Sequence, residues 1–443
     1  MASISSPQLA LRKHLSGDAL IQLLHDEFLQ LAEPLPHVDT LTLTDALLSG
    51  FALFALKDPS LLAFDQRRND ENLRSIYLIQ HVPSDTYLRT LLDDVEPERL
   101  RPAFRAIFRQ LQRGKVLEPL VFFEGCYLLS LDGTEYFSSN NIHCDACLQR
   151  KGKDGQITYY HQMLSASLVH PDAREVIPLM PEPILRQDGQ TKNDCERNAA
   201  KRFFEKFRKD HPHLPVIVTE DGLSSNAPHI EELKRHDMHF ILGVKQGDHK
   251  FLFAQMETAF QQGRAHTLTL EDNQGQVLHH FRYLIGVPLN EAHPNLLINF
   301  LEYWEISEKG VKYFSWVIDL PLREDTVYTL MRGGRGRWKI ENETFNTLKN
   351  QGYHFEHNFG HGEKNLSVVL ALLMMLAFLV DQVQQLCDPL FRAAWEKAGS
   401  KRQLWEDMRI LFRAYVLTSL RALYEALAFG FVKGHLILVD DSS

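Results

Sequence analysis

The spacing of apolar residues divides the chain into a helical beginning, a strand-rich middle and a helical end. Up to about residue 120, apolar positions recur at helical spacing, and Ser16 can cap a first helix that runs to Leu31. Further helices are predicted after Thr42, after Ser84 and from near Pro97. The beginning of the chain is therefore expected to be a helical domain over residues 1–120.

From about residue 126 the pattern changes to short apolar runs that are typical of buried strands. The predicted order is three strands, a helix, a strand, a helix and a strand, over residues 127–132, 157–169, 175–180, 194–208, 215–219, 226–235 and 239–244. This is the order of an RNase H-like sheet, in which the later strand–helix–strand units pair in parallel. A core over residues 121–245 follows from it.

The second half of the chain reads as an insertion followed by helices. Strand-like runs with polar turns over 246–325 predict a β-rich insertion, and the helical pattern returns from Arg337 almost to Val439. The predicted fold class is thus α/β, an RNase H-like mixed sheet flanked by helical regions. Residues 326–365 are expected to complete the core, and 366–443 to form a helical C-terminal region. The apolar stretch 366–380 is shorter than the roughly 20 residues that span a bilayer, which favours a buried helix.

Two aspartates stand where an apolar run meets glycine. Asp132 ends the run LLSLDG, and Asp221 ends IVTEDG. A lone carboxylate at the end of a buried strand is costly unless something pairs with it, so these positions suggest function. An ordinary Asp-Gly turn is the alternative for either one.

A glutamate in the later helical region is the third candidate. At 100° per residue, Glu341 falls between Trp338 and Leu348 on the apolar face of a helix, whereas Glu343 points to the opposite side. Three acids at one sheet edge would repel one another unless cations intervene. The hard ions Mg²⁺ or Mn²⁺ are expected to bind these acids. Two such ions bound at one site can support in-line phosphoryl transfer.

Composition adds two constraints. The formal net charge is −9, so any DNA binding must depend on local basic patches. The most concentrated patch lies among three glycines and is predicted to be a DNA-contacting loop, or else a solvated turn; its members are Arg332, Arg335, Arg337 and Lys339. Five sparse cysteines do not form a disulfide framework and favour a reducing, cytoplasmic compartment.

Two of the cysteines form half of a zinc-binding pattern. His143, Cys144 and Cys147 could supply ligands to a structural zinc ion, completed by His161, His170 or Cys195. Unligated cysteines in a loop are the alternative.

The chain resembles bacterial insertion-sequence transposases of the DDE type, in the branch with a Tyr-Arg-Glu-Lys signature. The residues that carry this resemblance are Asp132, Asp221 and Glu341. The resemblance covers roughly residues 120–360, and family members carry a β-rich insertion between the second aspartate and the glutamate. It implies that the three acids are catalytic metal ligands. Arg337 and Glu341 have the signature spacing, but Gly334 stands at the tyrosine position.

The signature's lysine position holds Leu348, with Lys349 one residue later. Arg337 could orient a DNA phosphate, or form an ion pair with a neighbouring acid. Arginines interleaved on the N-terminal helices suit contacts with a DNA backbone, or else lie on a solvated face, and residues 1–120 are predicted to bind DNA. The resemblance implies metal-dependent cleavage at element ends, strand transfer into target DNA, a dimer on DNA, and action at the bacterial nucleoid without a membrane. A metal-dependent nuclease, an inactive DNA-binding derivative and a zinc-containing binding module are the alternatives.

Overall fold

The structure is a computed structural model that describes residues 12–31, 41–186, 193–272, 275–430 and 437–438. The remaining parts of the predicted terminal regions, residues 1–11, 32–40, 431–436 and 439–443, lie outside the described residues. A mixed sheet joins twelve strands: β1 (Val121–Phe123), β2 (Cys126–Ser139), β3 (Leu148–Lys151), β4 (Ile157–Val169), β5 (Ile177–Pro178), β6 (Glu182–Ile184), β7 (Val216–Glu220), β8 (His239–Gly243), β9 (His266–Glu271), β10 (Val277–Pro288), β11 (Leu297–Ser307) and β12 (Gly310–Ile318).

The strand order confirms the predicted RNase H-like arrangement. Its main path is β3-β4-β2-β7-β8-β12-β11-β10-β9. The long strands β2 and β4 pair antiparallel, and β5 and β6 add to the far side of β4. Strand β7 lies parallel to β2, and β8 lies parallel to β7. Each parallel connection contains one helix, as a crossover on a sheet requires.

Helices pack around this sheet, and they make up most of the N-terminal and C-terminal regions that the structure describes. They are α1 (Gly17–Leu29), α2 (Leu43–Ala55), α3 (Leu61–Asp65), α4 (Glu71–Ser75), α5 (Asp85–Asp93), α6 (Arg101–Arg113), α7 (Glu196–Asp210), α8 (Ala227–Arg235), α9 (Lys250–Gln261), α10 (Val327–Gly336), α11 (Asn346–Asn350), α12 (Leu366–Cys387), α13 (Pro389–Ala398), α14 (Lys401–Ala414) and α15 (Leu420–Phe429). The hydroxyls of Ser16 and Ser84 accept backbone N–H groups at the starts of α1 and α5, as predicted, and that of Thr42 does the same at the start of α2.

The apolar helix α12 is the centre of the helical part of the molecule. Its 22 residues are long and apolar enough to cross a membrane by length and composition, but its most apolar window is completely buried within the protein. It packs against α2 and α5 from the beginning of the chain and against α13 from the end. The expected buried helix is thus present, although it is longer than the apolar stretch indicated.

The insertion continues the same sheet. Its last strand, β12, pairs antiparallel with β8, and β11, β10 and β9 follow outward. One helix, α9, precedes these strands, and the alternation of apolar residues gave no sign of it. The insertion therefore extends the core sheet sideways, and its strands border the cleft described below.

The expectation that a strand ends at Asp132 is wrong. Strand β2 continues to Ser139 because the equally long β4 supplies hydrogen-bonding partners beyond Gly133, which pairs with Leu164. The glycine is needed for another reason. A Cβ atom on Gly133 would overlap the carboxylate of Glu196, which packs directly on the strand.

Candidate active site and nucleic-acid interface

Asp132 lies on the face of β2 that is covered by the α10 region. Alternate residues of a strand share a face, so Leu128, Ser130 and Asp132 point the same way. The Ser130 hydroxyl donates to the main-chain oxygen of Arg337 at 3.1 Å, and a Cβ atom on Gly336 would lie 3.3 Å from Leu128. The Asp132 side chain is therefore directed at the helix segment that carries Glu341.

Asp221 immediately follows the neighbouring strand, β7, and is near Asp132. Ser130 pairs with Thr219 in the parallel β2–β7 ladder, so two residues further along, Asp132 is level with Asp221. Adjacent strands are about 4.8 Å apart, which places both aspartates at one edge of the sheet. Asp221 immediately follows β7, and its Oδ1 accepts the N–H of Leu223 at 2.9 Å, which closes the turn.

Glu341 is connected to Asp132 through a shared arginine. Nη1 of Arg337 lies 3.3 Å from Oδ2 of Asp132, and Nη2 lies 2.7 Å from Oε1 of Glu341. The ion pair with a neighbouring acid, one of two expectations for Arg337, is therefore what the structure shows. Among the described residues, Asp132, Asp221 and Glu341 do not form a set of ligand atoms within 4.8 Å of one another. The guanidinium occupies the space between two of them.

Trp338 and Glu341 do not lie on a buried apolar face of the helix, contrary to the prediction. Trp338 is 54% exposed, and the Glu341 side chain is more exposed than that of Glu343, at 40% against 27%. The reason is that the helix is irregular: residues Ile340–Phe345 form a π-helix, whose wider turn breaks the 100° step. Contacts distinguish the two acids instead, since Glu343 faces Arg174 at 3.8 Å, away from Asp132.

The site carries an excess of negative charge. Burial raises the pKa of Asp132 to about 7, and the charges of Glu341, Glu196 and Asp221 add to this, while Arg337 opposes it. Glu196 begins α7, and its Oε1 accepts from Nε2 of Gln162 at 2.7 Å. Glu196 could not be identified from the sequence, because nothing in its local pattern shows that the start of α7 returns to β2.

Carboxylate oxygens are the ligands that Mg²⁺ and Mn²⁺ prefer, so this donor set fits a hard divalent cation. The electrostatics support this fit, because burial and the neighbouring acids raise the pKa of Asp132 to about 7 while one guanidinium, that of Arg337, contacts both Asp132 and Glu341. Glu220, by contrast, is buried in a 2.5 Å contact with Nε2 of His229 and is already neutralised. Asp132, Asp221 and Glu341 are thus the acids that could hold a metal ion.

A cleft of about 400 Å³ opens beside the acids. Asp221 and Arg337 line its floor, and the exposed side chains of Lys245 and Trp338 stand at its rim. Strands β8 and β12 form one wall and α10 the other. An exposed indole and a lysine beside acidic groups can contact the bases and phosphates of a nucleic acid. Neither Lys245 nor Trp338 was identified from the sequence.

The basic loop predicted before the helix of Glu341 is not what the structure shows, because Arg332 and Arg335 belong to helix α10 and Arg337 and Lys339 to its continuation. Three glycines let this helix lie close to the sheet; a Cβ on Gly334 would be 2.5 Å from the ring of Trp316. The basic side chains have partners: Arg332 pairs with Asp172, Arg335 with Glu305, Lys339 donates to the oxygen of Ala173, and Lys349 pairs with Glu356.

This packing also explains a departure from the family signature. Where the signature has tyrosine, this chain has Gly334, and the indole of Trp316 from β12 fills the adjacent space. A larger side chain at position 334 would displace either the indole or the helix. The neighbouring Gly333 is also closely packed, since a Cβ atom there would lie 2.8 Å from the Phe122 ring.

The structure separates the residues considered for zinc. Cys144 and Cys147 lie together with His161, and a fourth residue, His361, joins them from a distant part of the chain. His143 is excluded from this group because its ring stacks on Tyr159 at a centroid distance of 4.3 Å. His170 and Cys195 lie elsewhere, the first beside Asp172 and the second exposed at the start of α7.

The mixed sheet and its strand order define an RNase H-like α/β protein. Residues 149–379, more than half of the chain, match the family model described as the transposase DDE domain. The chain therefore belongs to the DDE transposase family, whose members generally use divalent metal ions. The matched region includes Asp221 and Glu341, while Asp132 precedes it.

Comparison with solved structures finds a cryo-EM structure of a piggyBac transposase synaptic complex with hairpin DNA. The two chains share 12% identity with a TM-score of 0.40, over 95% of this chain and 80% of that chain. No curated protein matches the chain.

Proposed function

We propose that this protein cleaves DNA at the ends of its own mobile element and joins the freed 3′-hydroxyls to target DNA. The observation that supports this most directly is the parallel β2–β7 ladder, since Asp132 and Asp221 each lie two residues beyond its last pair, Ser130 and Thr219. Glu341 is tied to Asp132 through Arg337. A family that acts on DNA by phosphoryl transfer gives this cluster its chemical context.

In this proposal Asp132, Asp221 and Glu341 hold Mg²⁺ or Mn²⁺ through their carboxylate oxygens. Two such ions, when bound, would activate a water or a 3′-hydroxyl and stabilise the leaving oxygen. Asp132 lies on β2 and Asp221 immediately after β7, so the pairing of these two strands sets the spacing of the aspartates. Glu341 sits on a helix, so its approach to the aspartates depends on how closely α10 and the π segment pack on β2 and β4.

The residues around the acids would hold DNA. Arg337 is planar and already points both its Nη atoms at oxyanions, the geometry that also fits a phosphate. Lys245 at the cleft rim can neutralise a backbone phosphate, and the exposed Trp338 offers a surface on which a base can stack. Arg332, Arg335, Lys339 and Lys349 would exchange their present partners for phosphates along the same helix.

The substrate in this proposal is the pair of terminal inverted repeats, held by two copies of the protein, followed by target DNA. The N-terminal helices would contribute to the recognition of the repeats. Arginines on those helices are engaged at present, as with Arg101, which contacts Asp210 at 3.2 Å and Glu98 at 2.7 Å.

Strand cleavage and joining by the purified protein test the proposal, with Mn²⁺ or Mg²⁺ and DNA that carries the element's own ends. Wild type should give cleaved and joined products, and Asp132→Asn should give neither while still binding DNA. Cleavage without joining would instead indicate a metal-dependent nuclease. DNA binding with no metal-dependent cleavage by wild type would overturn the enzymatic proposal and leave a DNA-binding derivative.

A further inference from the structure

A second cluster of metal-ligand residues lies apart from the acids. Cys144 and Cys147 come from the turn after β2, His161 from β4, and His361 from the segment between α11 and α12. All four ligand atoms lie within 4.8 Å of one another. Asp132 pairs with Ser165 on β4, and His161 is four residues earlier on that strand, so the two sites are separated by about 13 Å at 3.3 Å per residue.

The distances within the cluster match tetrahedral coordination. The two Sγ atoms are 3.9 Å apart, and Nε2 of His161 lies 3.6 Å from Sγ of Cys144 and 3.4 Å from Sγ of Cys147. Nε2 of His361 lies 3.2 Å from Sγ of Cys147. With Zn–S near 2.3 Å and Zn–N near 2.0 Å, a tetrahedron requires about 3.8 Å between sulfurs and about 3.5 Å between sulfur and nitrogen.

The surroundings also favour a metal ion. Nδ1 of His361 donates to the main-chain oxygen of Gly362 at 2.9 Å, which leaves the lone pair of Nε2 facing the sulfurs. His161 is completely buried, and its Nδ1 has no hydrogen-bond partner in the described part of the chain, so its polar contacts are those with the two sulfurs. The backbone N–H of Cys144 points at Sγ of Cys147 at 3.5 Å, which would stabilise a thiolate.

We propose that Cys144, Cys147, His161 and His361 bind one zinc ion that has a structural role. Two thiolates and two imidazoles in a tetrahedron select zinc among the common divalent ions, and four protein ligands leave no open position for substrate. The ion would fasten the segment that follows the Glu341 helix to the β2–β4 hairpin. It would thereby hold the helix that carries Glu341 against β2, the strand that carries Asp132.

The metal content of the full-length protein, expressed with added zinc and purified without chelators, tests this proposal. Elemental analysis should find about one zinc ion per chain in wild type. Replacing a ligand, as in His361→Ala, should remove most of it, whereas His361→Cys should keep it, because a Cys₃His set also binds zinc. His143→Ala and Cys195→Ser are matched controls that should retain one zinc.

Cobalt substitution in wild type provides a measurement that does not depend on the folding of variants. Co²⁺ in this site should give thiolate charge-transfer bands and the intense visible absorption of a tetrahedral complex, both displaced by zinc. Wild type that contains no zinc, or carries a Cys144–Cys147 disulfide instead, would overturn the proposal. So would zinc that survives His361→Ala, or that is lost equally with His143→Ala.

Discussion

The guanidinium of Arg337 stands between the carboxylates of Asp132 and Glu341, 3.3 Å from the first and 2.7 Å from the second. It occupies a position in which a positive charge is needed, because burial and three neighbouring acids together raise the pKa of Asp132 to about 7. A metal ion that binds these acids must displace the guanidinium or share the carboxylates with it. Arg337 would thus compete with the metal ion for these carboxylates, and it is also a candidate phosphate ligand.

Replacing this arginine should make the protein more dependent on metal. Arg337→Gln removes the positive charge among the acids, so the metal-free protein should melt at a lower temperature. The rise in melting temperature on adding Mg²⁺ or Mn²⁺ should then exceed that of wild type, since stabilisation by a ligand grows with its affinity for the folded state. Arg335→Gln, which removes a pair with Glu305, is the control. Equal metal-induced shifts in all three proteins would contradict this view of Arg337.

The two acids of the π segment should differ in function. Glu341→Gln is expected to lower the cleavage rate by more than about 100-fold, since loss of even an outer-shell partner of a metal costs 10–100-fold. Glu343→Gln should change it little, because Glu343 faces Arg174. Single-turnover cleavage of end-containing DNA, with binding measured separately, compares them. An essential Glu343 beside a dispensable Glu341 would show that the third ligand is misassigned.

A methyl group at position 334 should disturb the contact between α10 and the sheet. In Gly334→Ala the new Cβ would meet the Trp316 ring at 2.5 Å, and overpacking of this kind costs about 1–3 kcal/mol of unfolding free energy. Cleavage should fall as well, because the same helix leads to Glu341. Urea unfolding and activity can be compared with Gly247→Ala, where nothing lies within 4 Å of the added atom. A Gly334→Ala protein as stable as this control would show that the helix has room to move.

A buried ion pair joins the N-terminal helical region to the apolar helix α12. Nζ of Lys57, just after α2, lies 2.6 Å from Oδ2 of Asp381 on α12 and packs over the rings of Tyr353 and Trp405. Lys57→Met leaves the carboxylate without its cation and should lower the unfolding free energy by about 3–5 kcal/mol. Lys209→Met, which breaks an exposed pair with Glu205, should cost at most about 1 kcal/mol. Chemical denaturation measures both, and similar losses would refute the role given to burial.

One histidine should make the fold sensitive to mild acid. His211 packs against Phe108 and Phe207, and burial, assisted by the charges of Arg101 and Arg105, lowers its pKa from 6.5 to about 4. The folded protein protonates His211 less readily than the unfolded chain does. The contribution of neutral His211 to the unfolding free energy is therefore fully present above pH 6.5. It is lost progressively as the pH falls from 6.5 to about 4.

His211→Gln should therefore flatten the decline of unfolding free energy between these pH values, and the exposed His213→Gln should leave it as in wild type. Urea unfolding at several pH values measures the slopes. An unchanged slope in His211→Gln would assign the acid sensitivity to other groups.

Much of the core could be predicted because its signals are local. Each buried strand is a short apolar run, and the boundaries of β4 and of α8 agree with the predicted ones within one residue. Asp132 and Asp221 stood out because a carboxylate beside an apolar run is visible without knowledge of its neighbours. The Cys144–Cys147 pair was visible for the same reason, since both ligands lie in one turn.

Other features depend on contacts between distant segments. His361 joins the cysteines from more than 200 residues away, and Glu196 reaches β2 only because α7 packs across it. The direction of Trp338 could not be inferred, since a regular helix was assumed where the structure has a π turn. The three glycines of α10 suggested a loop because their use, close packing on the sheet, requires the sheet to be present.

The sequence by itself determined the alternation of the core strands with helices over residues 157–244 and the identity of three candidate acids, because hydrophobic periodicity and carboxylates beside apolar runs are properties of neighbouring residues. The tertiary structure alone decided which groups meet. It placed Arg337 between Asp132 and Glu341, paired Lys57 with Asp381, and completed a four-ligand cluster with His361. Such meetings depend on how the sheet and helices pack, and packing is a property of the whole chain.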